Sequence, residues 1–353
     1  MGHRRPFHMH TIPDRELHER FTATRGALTA RRTVTGRRRH TWENDFHAIG
    51  DPFVRDLSVI MSSKAWRRMG GKNQVASSPL TPYVRDRATH VAEVIAHSVR
   101  IAEHLGLNAH LAAAIAAGHD IGHVPFGHQG EHYIAEKTGT RFTHEVMGVV
   151  VAQHIERRGE GLNLTHETLD GMYRHSGKNA SSHMTPEAWV VRFADKIAYL
   201  FADYNDFRRL RWKCPSDLED AMQWFGANQR GRTFRTIVAL CEESKTVGTI
   251  SFSQTEPARR FEMLRTLMYK EYARVAEQNV GRILDPLYDF LERSRLVPPH
   301  IGLALLTDSE VRNLVGSTGM LNSKSIMDTG LGEIIETHPD LHRIDVLNLD
   351  LDW

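Results

Sequence analysis

The sequence predicts an all-α fold, on three observations. Apolar residues recur at intervals of three and four through most of the chain, which gathers them on one face of a helix. Strict alternation of apolar and polar residues, the mark of a half-buried strand, is scarce. Capping residues open these stretches and Gly or Pro stands near their ends, as helix boundaries require.

The elements follow in order. In "THVAEVIAHSVRIAEHLGL", Val91, Val94, Ile95, Val99, Ala102 and Leu105 form one stripe, predicting a helix capped by Thr89. "NAHLAAAIAAGHD" is alanine-rich, a strong helix former that can pack closely, with Gly118 near its end. "THEVMGVVVAQHIERRG" predicts a helix from a Thr143 cap to Gly159. "TPEAWVVRFADKIAYLFADYNDFRRL" starts with Thr185 as cap and Pro186 in the first turn. "EPARRFEMLRTLMYKEYARVAEQNVGRILDPLYDFLERSRL" predicts one or two helices broken near Pro286, and "KTVGTISFSQTEP" a short strand or turn. Three regions are expected: a basic N-terminal arm over 1–45, a central core over 46–210, and a C-terminal helical region over 211–353 that shares that core or stands beside it.

A hydrophobic share of 41% against 25% charged residues, over 353 residues, is that of a chain with a sizeable core. No run approaches the ~20 apolar residues of a membrane span, and the first residues lack a signal-peptide stretch. A cytoplasmic protein with no membrane partner is expected. Cys214 and Cys241, the only cysteines, read as two buried structural thiols. Residues 1–40 carry ten arginines against Asp14, Glu16 and Glu19, a local +7 in a chain of net +2. That arm is either a solvated tail or a surface for nucleic acid, a nucleotide phosphate or a neighbouring subunit.

The chemistry concentrates in "AAGHDIGHVPFGHQGEH", which holds His119, His123, His128 and His132 beside Asp120 and Glu131. His90 opens the preceding helix and Asp195 lies within a later one. Two imidazoles and two carboxylates from three helices can surround a divalent cation and leave positions open for water or phosphate oxygen. Such a site suits Lewis-acid chemistry. Asp195, Tyr199 and Asp203, spaced at four, share one helix face.

His90, then "HD" at His119 and Asp120, then Asp195, resembles the HD-domain metal-dependent phosphohydrolases. The blocks "SSKAWRRMGGKNQV", "RDRATHVAEVIAHSVRIAEHLGLN", "GHDIGHVPFGHQGE", "THEVMG", "YRHSGKN" and "VRFADKIAYLFADYNDF" are similar, in that order, to those of the bacterial deoxynucleoside triphosphate triphosphohydrolases, the dGTPase-like family. The likeness covers roughly 51–210, with a weaker echo at "FSQTEPARRFEMLRTLMYKEY".

The resemblance implies an HD-domain helical bundle with additional C-terminal helices. Its expected reaction is hydrolysis of a dNTP at the α-phosphate, yielding deoxynucleoside and inorganic triphosphate. It implies His90, His119, Asp120 and Asp195 as ligands of a divalent metal, Mn or Mg first, with Fe, Co, Ni or Zn also compatible with mixed nitrogen and oxygen donors. It implies His128 and Glu131 as a catalytic pair, the carboxylate holding the imidazole for proton transfer. Arg87, His123, His144 and Lys196 are expected at the phosphates, and Gln74, Tyr199 and Asp203 at the sugar. A homo-oligomer and a nucleotide or single-stranded DNA effector also fit the family.

His97, His104, His110, His132 and His154 fall outside the family positions and read as structural or surface groups. The chain departs from the family at Val124, Ala202 and Asn205, the last two placing a difference on the sugar or base side of the pocket. Two other readings stand beside the leading one: an HD phosphohydrolase acting on monophosphates or signalling nucleotides, and a nucleic-acid-binding regulator that uses the arginine arm.

Overall fold

A computed structural model describes residues 8–40, 50–75, 81–276, 279–316, 321–338 and 340–353. Among these residues the regular structure is all helical, with two isolated bridges, Arg38 to Thr165 and Asn73 to Asp86.

The helix Arg87–Leu105 starts before the expected Thr89 cap. Asp86 takes that place, its carboxylate accepting from the Thr89 N–H at 2.7 Å, and the helix closes on Gly106 in the left-handed conformation. The helix Ala109–Gly118 is buried from Leu111 to Gly118. It packs on Arg87–Leu105, Pro52–Met61, His166–Arg174 and Pro186–Arg209, and small side chains allow so many close neighbours. Thr185 caps Pro186–Arg209 as expected, accepting from the Ala188 N–H at 3.2 Å.

Two expectations need correction. The helix after Thr143 stops earlier than Gly159: His144–Val150 passes into a π turn over Val151–Ile155, and the chain reverses through Arg157 and Arg158 at φ of 53° and 61°. That break frees Glu156, whose carboxylate accepts from the N–H groups of Lys64 and Ala65 at the start of another helix. Pro286 does not break its helix. Val280–Ser294 runs through it, because Pro286 and Arg282, whose carbonyl loses its partner, both face solvent. The preceding helix, Glu256–Val275, ends instead where Ala276 turns extended. Of the short strand or turn expected in "KTVGTISFSQTEP", the turn is found: a helix runs to Val247, and the following loop is tied by Glu243, whose carboxylate accepts from the N–H groups of Ser253, Gln254 and Thr255. Of the two cysteines, Cys241 is buried and Cys214 only half-buried.

The described part of the arginine-rich arm is docked, not a solvated tail. Met9, Leu17 and Leu28 are buried in the core, Arg20 pairs with Glu242 at 2.6 Å, Arg38 with buried Asp56, and Arg39 with Asp350. Carboxylates of the body thus hold three of the arm's arginines, while Arg25, Arg31 and Arg32 remain exposed. Residues 1–7 and 41–45 of the expected arm, and 46–49 at the start of the expected core, lie outside the described residues.

Two apolar clusters form the core, one running from Met9 to Met268 and the other from Val59 to Val346. Each takes residues from both sides of position 210, so C-terminal helices reach the cavity described next. Among the described residues no helix is long and apolar enough to cross a membrane.

Candidate active site

One cavity of about 770 Å³ collects the sequence-predicted residues. Gln74, Arg87, His90, Asp120, His123, His128, Glu131, His144, Asp195, Lys196, Tyr199 and Asp203 all line it. His119 is not on the lining, but its ring reaches forward from behind to Asp120 and Asp195.

Local structure explains the convergence. His119 caps Ala109–Gly118, and its Nδ1 faces the Ala116 carbonyl at 2.7 Å, which turns Nε2 toward the carboxylates. Gly122 then lets the turn press against the start of His144–Val150. A Cβ there would fall 2.1 Å from the Gly148 nitrogen and 2.2 Å from the His144 oxygen. Without that approach His144 would stand away from Asp120.

His90 Nε2 lies 3.1 Å from Asp195 Oδ1 and 3.8 Å from Asp120 Oδ2, while His119 Nε2 lies 3.5 Å from Asp120 Oδ1 and 3.8 Å from Asp195 Oδ1. Buried His119 Nε2 makes no hydrogen bond, a costly condition unless a cation uses its lone pair. The donors of His90, His119 and Asp195 lie within 4.8 Å of one another, a spacing that suits a metal. Burial would raise both carboxyls. Instead His119 and Arg87 hold Asp120 well below its usual range, and the hydrogen bond from His90 holds Asp195 at about 2. Both are charged at neutral pH, as ligands must be. The residues therefore fit a divalent ion.

A second group centres on Glu131. Its Oε1 meets His144 Nδ1 at 2.9 Å and His128 Nδ1 at 3.2 Å, and lies 3.2 Å from His123 Nδ1 without the alignment of a hydrogen bond. The expected pairing with His128 is thus one of three contacts. Burial acts to raise Glu131, yet His144 and His128 keep it well below the usual carboxylate range. Burial opposes charge on His144, but Glu131 and Glu145 push it up to about 9. Burial and nearby Arg87 bring His123, stacked on His144 at 3.7 Å, down to about 4. His128 is the exposed member of the group, at 77%.

On the far side Tyr199 and Asp203 meet residues that sequence reasoning missed. Asp203 accepts from Arg85 through Oδ1 and from the Tyr272 hydroxyl through Oδ2 at 2.7 Å, and burial raises it to about 6 despite Arg85. Arg265, Tyr269 and Tyr272, from Glu256–Val275, complete that wall. Ala202 and Asn205 do not line the cavity; Asn205 instead donates to Gln229 at 2.7 Å. The departure expected at the sugar side therefore falls outside the pocket. Buried Gln74 Oε1 makes no hydrogen bond and offers an acceptor on the lining.

Lys72, Asp308 and His175 were also missed. Phe126, at φ 63° in the turn before His128, is held in a conformation costly for a bulky residue, and its N–H donates to Asp308 Oδ1 at 3.2 Å. Buried Lys72 donates to the His123 carbonyl and, at 3.2 Å, to that of Ala304. These two residues tie the histidine turn to the C-terminal helices. His175 stood in the "YRHSGKN" block, and its adjacency to "HD" in space had no sequence signal.

The HD domain is matched over residues 87–200. Deoxyguanosinetriphosphate triphosphohydrolase-like proteins are similar over longer stretches. That of Clostridium tetani is 38% identical over 213 residues, 58% of this chain and 61% of the relative. Those of Caldanaerobacter subterraneus subsp. tengcongensis and Desulfatibacillum aliphaticivorans are 35% and 36% identical, covering 68% and 69% of this chain and 72% and 74% of the relatives. Fold and cavity thus define a hydrolase of the HD phosphohydrolase class. The chain belongs to the deoxyguanosinetriphosphate triphosphohydrolase-like family.

Proposed function

We propose that the protein is a metal-dependent dNTP triphosphohydrolase that releases deoxynucleoside and inorganic triphosphate. The observation that supports this reading is the shared cavity: His90, Asp120 and Asp195, with His119 reaching them from behind, the His128–Glu131 pair and several arginines and a lysine meet at one space. His90, His119, Asp120 and Asp195 would hold a divalent ion, Mn or Mg first, which when bound polarises a phosphoryl oxygen and lowers the pKa of water.

The chain's own residues do the rest. Arg87, Arg192, Lys196 and Arg265 line the cavity. Burial brings Lys196 down to about 8, with Arg192 and Arg265 adding to the effect, a crowding of positive groups that a polyphosphate relieves. His123 and His144 stand beside that charge. His128, oriented through Nδ1 by Glu131, keeps Nε2 for protonating the departing 5′ oxygen. Tyr199 packs under the sugar and Asp203 and Gln74 bind its hydroxyl, while the family's cytoplasmic setting and homo-oligomeric assembly, with a nucleotide or single-stranded DNA effector, complete the reading.

The test is incubation of the purified protein with each of four dNTPs and four NTPs in Mn or Mg, with all products resolved. Deoxynucleoside with intact triphosphate is expected. Orthophosphate or diphosphate as the first product would overturn the proposal.

A further inference from the structure

Arg85 does not line the cavity, yet it holds one of the cavity's carboxylates. From the loop before Arg87–Leu105 its buried guanidinium donates from Nε to Asp206 Oδ2 at 2.9 Å, from Nη1 to Glu93 Oε2 at 2.6 Å and from Nη2 to Asp203 Oδ1. Three carboxylates around one planar group leave it little freedom to turn, a hold that the single ammonium of a lysine cannot reproduce. A structural tie accounts for Asp206 and Glu93, which lie off the cavity. Asp203 is different, because it opens on it.

The Asp203 carboxylate is gripped at both oxygens. Oδ1 takes Arg85 and Oδ2 takes the Tyr272 hydroxyl at 2.7 Å, so its plane is fixed and each oxygen keeps a further acceptor position. Burial and nearby Asp206 work to neutralise the group, while Arg85, Tyr272 and His90 oppose them. Arg85 is the strongest of these three. Without it the carboxyl would take up a proton and lose both its aim and its character as a pure acceptor.

The proposed function puts a deoxyribose here, and the only free hydroxyl on the sugar of a dNTP is the 3′ one. We propose that Arg85 is the positioning residue of 3′-hydroxyl recognition: its three-way hold aims the Asp203 carboxylate at that hydroxyl and so limits substrates to nucleotides that end in one. The inference rests on the proposed function. A nucleotide that lacks the hydroxyl leaves the acceptor unpaired, and one that carries a 3′-phosphate sets two negative groups together.

The experiment compares kcat/KM for the best-used dNTP with that for its 2′,3′-dideoxy counterpart, in the unaltered protein, Arg85→Gln and Arg85→Lys. The unaltered protein should favour the dNTP about tenfold or more, the effect of one hydrogen bond to a charged group. In Arg85→Gln that preference should fall to about twofold, because removing Arg85 and removing the hydroxyl then disable the same contact. Arg85→Lys keeps a cation among the three carboxylates and should fold, but it has no fork, and its preference should lie between the two. A residue that only held the fold together would lower kcat/KM for both nucleotides alike, so an undiminished preference in either variant would overturn the proposal. Equal kcat/KM for both nucleotides in the unaltered protein would also overturn it, while leaving the proposed function standing. No turnover of any dNTP would sink that function and this inference with it.

Discussion

The cavity has two unlike walls. The wall from Arg87–Leu105, the histidine turn and Pro186–Arg209 is crowded with buried ionisable groups. The opposite wall, from Glu256–Val275 and the start of Asp308–Gly316, presents Arg265, Tyr269, Tyr272 and Asp308, mostly aromatic surface with a few polar anchors. On the proposed function the first holds the metal and the phosphates. The second braces the first, through the contacts Asp308 and Lys72 make to the histidine turn, and on the proposed function it faces the nucleoside. The ionisable groups and the residues that brace them thus come from different stretches of chain.

The largest effect should come from the charged wall. His119→Ala is expected to lower kcat about 10³-fold, the several kcal/mol of a Lewis-acid site, and to lower bound Mn in the same samples. Removal of metal by a chelator should abolish turnover, and re-addition of Mn or Mg should restore it. Turnover and metal content both retained in His119→Ala would break the contrast between the walls.

The brace comes next. Burial depresses Lys72 from 10.5 to about 7, with Arg68 adding to the shift. Between those two values the unfolded chain keeps a proton that the folded chain has released, so this residue makes stability rise with pH in that window and leaves it level below. From pH 7 to 9 the unaltered protein should gain about 2 kcal/mol relative to Lys72→Met. Urea unfolding at both pH values measures this, and parallel profiles would contradict it. Asp308→Ala leaves the Phe126 N–H without its acceptor and should lower kcat about tenfold with little change in KM. A change in KM alone would make Asp308 a binding residue and not a brace. Smallest is Tyr272→Phe, which removes the hydroxyl on Asp203 and should raise the nucleotide KM about threefold. An unchanged KM would remove the aromatic wall from substrate binding.

The two walls were also unequally legible in the sequence. Helices with apolar stripes, the Thr185 cap and the ionisable run from His119 to Glu131 were visible because their signals are local. Helix ends were less so: Asp86 displaced Thr89 as a cap, and Pro286 continued a helix because its face is open to solvent. Glu131 read as a partner for His128, yet the close approach at Gly122 brings His144 and His123 to it as well. His175, Lys72, Asp308 and Tyr272 carry no spacing that ties them to the histidine turn. Their place is set by packing between helices far apart in the chain, which no local pattern records.

On the proposed function the cavity directs water to the α-phosphorus. Hydrolysis of a dNTP in ¹⁸O-labelled water, followed by mass spectrometry of both products, tests it most directly. One ¹⁸O atom in the inorganic triphosphate and none in the deoxynucleoside is the predicted result. Label in the deoxynucleoside would place the cleavage at the carbon–oxygen bond, and labelled orthophosphate would place the attack at the γ-phosphorus; either contradicts the account.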